Sequence, residues 1–134
     1  QIARTLSIIK PDAVERNLES KIKEIFLKDN LNIIDSKKIK ITKEEAEQFY
    51  KVHQSKPFYN DLCTYLSSGP IIVMILEGEN VIIKNRELMG ATDPKNASKG
   101  TIRNLYGISI DKNSVHGSDS KENAKSEINF FFKG

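Results

Sequence analysis

Histidine is scarce in this chain, which contains two, and His116 lies in the pattern that best suits chemistry. It falls in the run Asn113-Ser-Val-His-Gly-Ser-Asp-Ser120 and directly precedes Gly117, which has no side chain to block approach. A neutral imidazole, available near pH 7, can attack phosphorus without a separate base. A surface histidine in a turn before a helix N-cap fits the same spacing, so the run alone leaves both interpretations open.

A nucleophilic imidazole needs a second group that orients the ring through its other nitrogen. Glu127 is the candidate, because it lies one position from Ile128 and therefore at the edge of a buried helical stripe. Ser118 could brace the same carboxylate. We therefore predict that Glu127 and Ser118 together hold the ring of His116.

Several polar side chains without an obvious structural duty could bind phosphate. Lys10 lies where a buried strand ends, and Arg86 lies near the end of a helix. Thr92 and Arg103 lie within a loop. Taken singly, such residues are usually solvated. Gathered around one nucleophile, they would stabilise the charge of a transferring phosphoryl group.

Aromatic residues suggest where a nucleotide base would lie. Tyr50 and His53 are i, i+3 neighbours on a predicted helix face, and Phe58 follows on a short loop. Phe58 could stack on a base, although an aromatic residue there is more often part of the core. The sequence contains no G-x-x-x-x-G-K-[ST] or G-x-G-x-x-G loop, so nucleotide-binding folds with a glycine-rich phosphate loop are not supported. Cysteine and histidine residues at metal-binding spacing are also absent, so a metal site is not supported.

The elements that must position these residues follow from hydrophobic spacing. Strands are predicted over 5–9, over 31–41 with a bulge at Asp35-Ser36, over the apolar run 71–76 and over 106–110. Helices are predicted over 18–29, from the capping box of Thr42 and Glu45 to Pro57, around Leu62 and Leu66, over 80–89 and from Ser120 to Phe132. Residues 90–106 are predicted to form a long irregular loop. This order predicts an α+β sandwich, a mostly antiparallel sheet covered by helices.

Length and composition are those of an ordinary globular chain. The 134 residues suit one core and a single domain over 1–134, and 38% hydrophobic residues exclude disorder. The apolar run 71–76 is far shorter than the roughly 20 residues of a membrane span. The single cysteine, Cys63, excludes an internal disulfide, predicts a reducing, cytoplasmic location, and is expected to be packed rather than reactive. A net charge of +3 suits an anionic small ligand at least as well as nucleic acid.

The run around His116 is one of several short strings that fall in a familiar order. The others are Ile9-Lys10-Pro11-Asp12, Lys56-Pro57-Phe58-Tyr59, Ser68-Gly69-Pro70, Arg86-Glu-Leu-Met-Gly-Ala-Thr-Asp-Pro94 and Gly100-Thr-Ile-Arg103. In this order and spacing the chain closely resembles the nucleoside diphosphate kinase family, nearly from end to end. One such string would be suggestive, whereas all of them in register are specific.

The resemblance implies a phosphotransferase with a ping-pong cycle. His116 would take the γ-phosphate of a nucleoside triphosphate, mainly ATP, on Nδ1 and pass it to a nucleoside diphosphate. Glu127 and Ser118 would orient the imidazole, Lys10 would act beside it, and Tyr50 would lie next to it. The fold implied is a ferredoxin-like α+β sandwich with a four-stranded antiparallel sheet.

The resemblance also implies which residues bind the substrate. Lys10 and Asn113 would contact the ribose and nearby phosphate oxygens. The phosphates would be bound by Arg86, Thr92, Arg103 and His53. The base would lie against Phe58, Leu62 and Ile110. Stacking without hydrogen bonds to base edges would explain broad base and sugar tolerance. Mg²⁺ would be bound through nucleotide phosphates rather than by a set of protein ligands.

Family members assemble as hexamers or tetramers, so the resemblance implies a homo-oligomer of either size, with no membrane partner and no obligate nucleic acid. The short tail after the last predicted helix leaves the choice of size open. The chain has Ala13, Asn17 and Ser20 where the family often carries glycines. It also has Lys99 where a proline is common and Lys56 where an arginine is common. None is a catalytic position, so these departures bear on loop conformation and subunit contacts.

Two other functions compete with the enzyme. One is a family member that binds nucleotides or nucleic acid without catalysis, and the filled catalytic positions argue against it. The other is a different histidine phosphotransfer protein, such as a phosphocarrier. Phe58, Leu62 and Asn113, the predicted nucleotide-slot residues, argue against that second function.

Overall fold

A single antiparallel sheet carries the site. Within the residues that the computed structural model describes, 2–110 and 112–132 with only the backbone for Val52, the sheet has four strands. They are β1 (Ile2–Ile9), β2 (Asn32–Ile39), β3 (Ile71–Glu79) and β4 (Val115–Gly117). Neighbouring strands pair antiparallel in the order β2-β3-β1-β4, which with intervening helices is a ferredoxin-like arrangement. The predicted fold class is confirmed.

Helices connect the strands and cover both faces of the sheet. They are α1 (Pro11–Glu15), α2 (Glu19–Lys28), α3 (Lys43–Phe49), α4 (Tyr59–Leu66), α5 (Val81–Met89), α6 (Ile102–Tyr106) and α7 (Lys121–Phe131). The predicted capping box starts α3: Thr42 accepts from the Glu45 backbone, and the Glu45 side chain accepts from the Thr42 N–H. Ser120 caps α7 as predicted. In the described part of the chain, no helix has the length and apolar character needed to cross a membrane.

The sheet separates two hydrophobic clusters because side chains alternate along a strand. Ile72 and Met74 of β3 face the cluster that contains residues of α2 and α5. Ile71 and Val73 face the cluster that contains residues of α3, α4 and α7. The run 71–76 is buried on both faces, as the unbroken apolar sequence predicts. Cys63 is buried in the second cluster, as expected.

The predicted fourth strand over 106–110 is wrong. Tyr106 ends α6, whereas Ile108 and Ile110 are more than half exposed, at 59% and 55%. The N–H groups of Ile108 and Ser109 bond to the Lys112 carbonyl, so this segment closes a local turn instead of joining the sheet. The strand that completes the sheet is β4, which contains His116 itself. Three residues are too short to show a periodic signal.

Other boundaries also differ from the sequence prediction. The helix that begins after Thr42 ends at Phe49 and does not reach Pro57; a 3₁₀ turn over Lys51–His53 follows. Helix α1 was not predicted, although a proline at its first position suits a helix start. The region 90–106 contains a 3₁₀ turn at Pro94–Asn96 and helix α6, so it is not wholly irregular. The β2 irregularity falls between Ile33 and Asp35, slightly earlier than predicted.

Gly117 allows α5 to lie close against β4. A Cβ built at this position would lie 2.2 Å from Asn85 Nδ2 and 3.0 Å from the Met89 side chain. Asn85 is fully buried and Met89 nearly so, which leaves little room for either to move. Access to His116 is one reason for a glycine at this position, and close packing against α5 is a second.

We expect Gly117→Ala to lower the free energy of unfolding by about 1–3 kcal/mol, the usual cost of overfilling a packed core. Denaturant titration followed by circular dichroism measures the change. Gly69→Ala is the matched control, because a Cβ there would make an ordinary 3.7 Å contact with Pro11. Equal stability of the two variants would contradict the packing role of Gly117.

Candidate active site

His116 lies in the middle of β4, opposite Ile8 of β1, with its side chain 21% exposed. Its Nε2 is 3.1 Å from Oε1 of Glu127, which α7 contributes. Ser118 Oγ donates a 2.8 Å hydrogen bond to the same oxygen. The structure therefore brings together the histidine, glutamate and serine that the sequence analysis grouped.

The Glu127 carboxylate decides which ring nitrogen of His116 carries the proton. An ionised carboxylate only accepts hydrogen bonds, so Nε2 must be the donor and must bear the hydrogen. The lone pair of the neutral ring then belongs to Nδ1. Nδ1 is consequently the atom able to act as a nucleophile.

Aromatic rings border the imidazole of His116. Phe49 meets it edge-on with ring centroids 5.3 Å apart, and Tyr50 does so at 6.3 Å. Burial, followed by the charge of Glu127, raises the pKa of Tyr50, so its phenol remains protonated at neutral pH. Such edge contacts restrict the tilt of the ring. Phe49 is not among the site residues predicted from the sequence.

His116 borders a cavity of about 780 Å³, a volume typical of small-molecule sites. The predicted site residues that line it are Lys10, Tyr50, His53, Phe58, Leu62, Arg86, Thr92, Arg103, Ile110, Asn113, His116 and Glu127. Ser118 is the predicted residue outside this lining; it is fully buried and reaches the site through Glu127. The sequence predictions thus converge on one cavity.

Lys10 and Asn113 are joined at the wall of the cavity. Lys10, 6% exposed, follows β1, and its Nζ donates to Asn113 Oδ1 at 2.9 Å. Asn113 Nδ2 donates in turn to the Thr92 carbonyl at 3.0 Å. The Lys10 N–H bonds to the Ser114 carbonyl at 2.8 Å and thus extends the contact between β1 and the β4 segment. These bonds tie the loop containing Thr92 to the histidine strand.

Arg103 is a buried cation that helps to build the cavity. Its Nη1 donates to the Gly90 carbonyl at 3.0 Å and its Nη2 to the Val115 carbonyl at 2.9 Å. Its buried Nε has no hydrogen-bond partner among the described residues. Burial, followed by the charge of Arg86, lowers the pKa of Arg103 to about 10, which leaves the guanidinium charged at neutral pH. A buried charge with neutral partners favours an anionic ligand nearby.

The outer part of the cavity is aromatic and apolar. Phe58 immediately precedes α4 and is 45% exposed, so it does not belong to the core. Its ring centroid lies 6.1 Å from that of His53. Leu62 and Ile110 line the same cavity. An exposed ring beside apolar side chains offers a flat surface for a stacked ligand.

Further lining residues were not found from the sequence. They come mainly from α3 and α7 and include Gln48, Asp119, Asn123, Ser126 and Phe130. The helical period could have indicated Asn123, which lies four positions before Glu127 and so on the same face of α7. Asp119 and Gln48 carry no comparable signal, because their place depends on how loops and helices pack.

Comparison with known proteins agrees with this geometry. The family model described as "Nucleoside diphosphate kinase" matches residues 3–134. The chain belongs to this family. It is 60% identical to the nucleoside diphosphate kinase of Campylobacter hominis over 98% of this chain and 96% of the relative. It is 55% identical to the corresponding protein of Rhodospirillum centenum over 99% of this chain and 95% of the relative.

Solved structures agree with the sequence relatives. The crystal structure of the Aquifex aeolicus nucleoside diphosphate kinase matches with a TM-score of 0.98 and 40% identity, over 100% of this chain and 97% of that one. The enzyme from Encephalitozoon cuniculi matches with a TM-score of 0.95 and 38% identity, over 98% and 89% of the two chains. Members of this family are phosphotransferases that work through a phosphohistidine in a ping-pong cycle. The predicted family and enzyme class are confirmed.

The family is Mg²⁺-dependent, and the donor set of the cavity can be tested against that ion. Within 2–110 and 112–132, no group of three or more acidic, histidine or cysteine side chains could hold a metal. Of the carboxylates that line the cavity, Glu127 is engaged with His116, and Asp119 accepts a bond from Asn123. This arrangement fits an ion that is held by the phosphate oxygens of a bound nucleotide.

We expect Asn113→Ala to lower the free energy of unfolding by about 1–3 kcal/mol, because the buried amide bonds to both Lys10 and the Thr92 carbonyl. Denaturant titration without nucleotide measures this change. Exposed Asn96 provides the control, since Asn96→Ala should shift stability by only a few tenths of a kcal/mol. An unaltered unfolding curve for Asn113→Ala would mean that these hydrogen bonds do not stabilise the fold.

Proposed function

We propose that this chain transfers the γ-phosphoryl group of a nucleoside triphosphate, mainly ATP, to a nucleoside diphosphate through Nδ1 of His116. The observation that carries the proposal is the contact between His116 Nε2 and Glu127 at the wall of the cavity. It holds the proton on Nε2 and directs nucleophilic character to Nδ1. Family membership supports the reaction, and this contact supports the residue.

The transfer takes place in two displacements. In the first, a bond forms between Nδ1 and the γ-phosphorus as the bond from that phosphorus to the bridging oxygen breaks, and the diphosphate leaves. Glu127, with Ser118 bonded to the same oxygen, stabilises the positive charge that develops on the imidazole. In the second, the terminal oxygen of another nucleoside diphosphate attacks the phosphorus, and Nδ1 departs as the neutral ring.

The phosphate charge is held by cations and a hydroxyl around His116. Arg103 is already fixed by two carbonyl bonds, so its charge needs little reorganisation when the nucleotide binds. Exposed Arg86 and Thr92 would meet the outer phosphate oxygens, with His53 as a further contact. Mg²⁺, bound through the nucleotide phosphates, would neutralise part of their charge.

The sugar and base of the nucleotide would contact the remaining residues that line the cavity. Lys10 and Asn113, held by one hydrogen bond, would contact the ribose and nearby phosphate oxygens. Phe58 would stack on the base, with Leu62 and Ile110 beside it. Stacking uses the face of the ring that every base has, so it accounts for broad base tolerance. Tyr50, protonated next to His116, completes the wall of the site.

We also propose the extent of the domain, the oligomeric state, the cellular location and the partners. Residues 1–134 form a single nucleoside diphosphate kinase domain, which one shared sheet and the family match over 3–134 support. A homo-oligomer, a hexamer or a tetramer, is supported by membership of the family, whose members assemble in these forms. Buried, unpaired Cys63 supports a cytoplasmic location. The chain needs no membrane or nucleic-acid partner for this reaction.

Incubation with γ-labelled ATP and Mg²⁺ tests the role of His116. We expect an acid-labile, alkali-stable label on the protein, because a phosphoramidate bond has that stability, and we expect any nucleoside diphosphate to remove it. His116→Ala should take no label. His53→Ala serves as the histidine control and should still be labelled. Absence of label on the wild type, or equal labelling of His116→Ala, would overturn the proposal.

Phe58→Ala tests the stacking surface. Loss of the ring should weaken nucleotide binding by about 1–3 kcal/mol, the usual value for one stacked base. Isothermal titration with several nucleoside diphosphates measures the change, which should be similar for purines and pyrimidines. Leu27→Ala, an exposed apolar residue of α2 outside the cavity lining, should leave affinity unchanged. Unchanged affinity in Phe58→Ala would remove this residue from the base site.

A further inference from the structure

A buried carboxylate lies behind the cavity wall and takes no part in the reaction described above. Asp12, in α1, is 6% exposed and lies outside the cavity lining. Its Oδ2 accepts hydrogen bonds from Ser114 Oγ at 3.2 Å and from Arg16 Nη2 at 3.1 Å. Its Oδ1 accepts from the hydroxyl of Tyr65. The carboxylate therefore joins three separate parts of the chain.

The bond with Tyr65 connects Asp12 to α4. The Asp12 N–H donates back to the Tyr65 oxygen at 2.9 Å, so the two residues are linked in both directions. Burial, together with the Asp12 carboxylate, raises the pKa of Tyr65, and the phenol therefore stays a donor. Helix α4 is the element that follows Phe58 and contains Leu62. Asp12 is thus bonded to the helix at the base end of the cavity.

The bond with Ser114 reaches the histidine strand. Ser114 is fully buried and has a φ of +76°, a left-handed conformation that residues other than glycine rarely adopt. Asn113 precedes it directly, and His116 follows two positions later. The backbone angle at Ser114 therefore determines how Asn113 and His116 lie relative to each other. The Asp12–Ser114 bond supports that angle from a side chain.

We propose that Asp12 is a positioning residue for phosphoryl transfer. It holds Ser114 in the left-handed conformation and so keeps Asn113 and His116 in the orientation that the transferring phosphate requires. This inference rests on the proposed role of His116 as nucleophile.

A purely stabilising ion pair with Arg16 does not explain the arrangement. The Arg16 side chain is 38% exposed, so solvent screens its charge and weakens its attraction to Asp12. Arg16 also donates to the Tyr106 carbonyl at 2.6 Å and to the Asp12 carbonyl at 3.1 Å, so it has partners besides the carboxylate. Arg16 Nη2 also donates to Ser114 Oγ at 3.5 Å, and the Asp12 carboxylate itself bonds directly to Ser114 of the histidine segment and to Tyr65 of α4.

Two substitutions at Ser114 separate backbone conformation from the serine hydroxyl. Ser114→Ala removes the hydroxyl and keeps a Cβ that disfavours positive φ, whereas Ser114→Gly removes the hydroxyl and accepts positive φ freely. We expect the single-turnover rate of His116 labelling at saturating ATP to fall about 10–100-fold in Ser114→Ala, a typical effect of a small misplacement of reacting groups. Ser114→Gly should retain most of the wild-type rate.

Asp12→Asn should slow labelling as Ser114→Ala does, because an amide cannot accept from all three donors. Asp35→Asn is the matched control, because Asp35 is an exposed residue of β2, and this variant should label at the wild-type rate. Rates are measured well below each melting temperature, so that loss of stability alone leaves the rate of the folded enzyme unchanged. If Asp12→Asn does not fold, the Ser114 pair decides the question.

The outcomes distinguish a failure of this inference from a failure of the proposed function. A wild type that takes no label would overturn the function itself. A labelled wild type with equally fast labelling of Ser114→Ala would overturn only the positioning role. The same holds if Ser114→Gly is as slow as Ser114→Ala, since the conformation would then not be what matters.

Discussion

The ladder between β1 and β4 pairs Ser7 with Gly117, Ile8 with His116 and Ile9 with Val115. Strand β1 is paired along its whole length with buried β3, so it is a rigid support for the much shorter β4. The nucleophile consequently lies on the edge strand of the sheet, while its backbone is bonded to the interior strand β1. Hydrogen bonds from Lys10 and Arg103 to the backbone of this segment give it further support.

Lys10 and Arg103 illustrate how the site is built onto that ladder. Lys10 follows the last residue of β1, and its N–H bonds to the carbonyl of Ser114, which extends the ladder by one bond. Arg103 donates to the Val115 carbonyl within β4. The charge of Arg103 is largely buried and bonds to neutral carbonyl groups, an environment that costs free energy. Binding of a phosphate at the cavity would offset that cost, so this arrangement favours an anionic substrate.

Sequence patterns were reliable where they were long or chemically specific. The apolar run 71–76 marked the central strand, because a strand covered on both faces carries apolar residues at successive positions. Thr42 and Ser120 marked helix starts, because a capping hydroxyl bonds backbone N–H groups only a few residues away. Patterns failed where elements were short. The three residues of β4 are too few to show alternating hydrophobicity. The alternation of Tyr106, Ile108 and Ile110 predicted a strand that the chain does not form.

For function, the sequence by itself determined the family, the reaction class and twelve of the side chains that line the cavity, because these depend on residue types at particular spacings. Only the tertiary structure decided that Glu127 meets Nε2 of His116, that Phe49 borders the ring, and that Phe58 is exposed rather than part of the core. Only the structure joined Asp12 to Ser114, which are distant in the chain. Contacts of this kind depend on how strands and helices pack in three dimensions, and spacing along the chain carries no record of them.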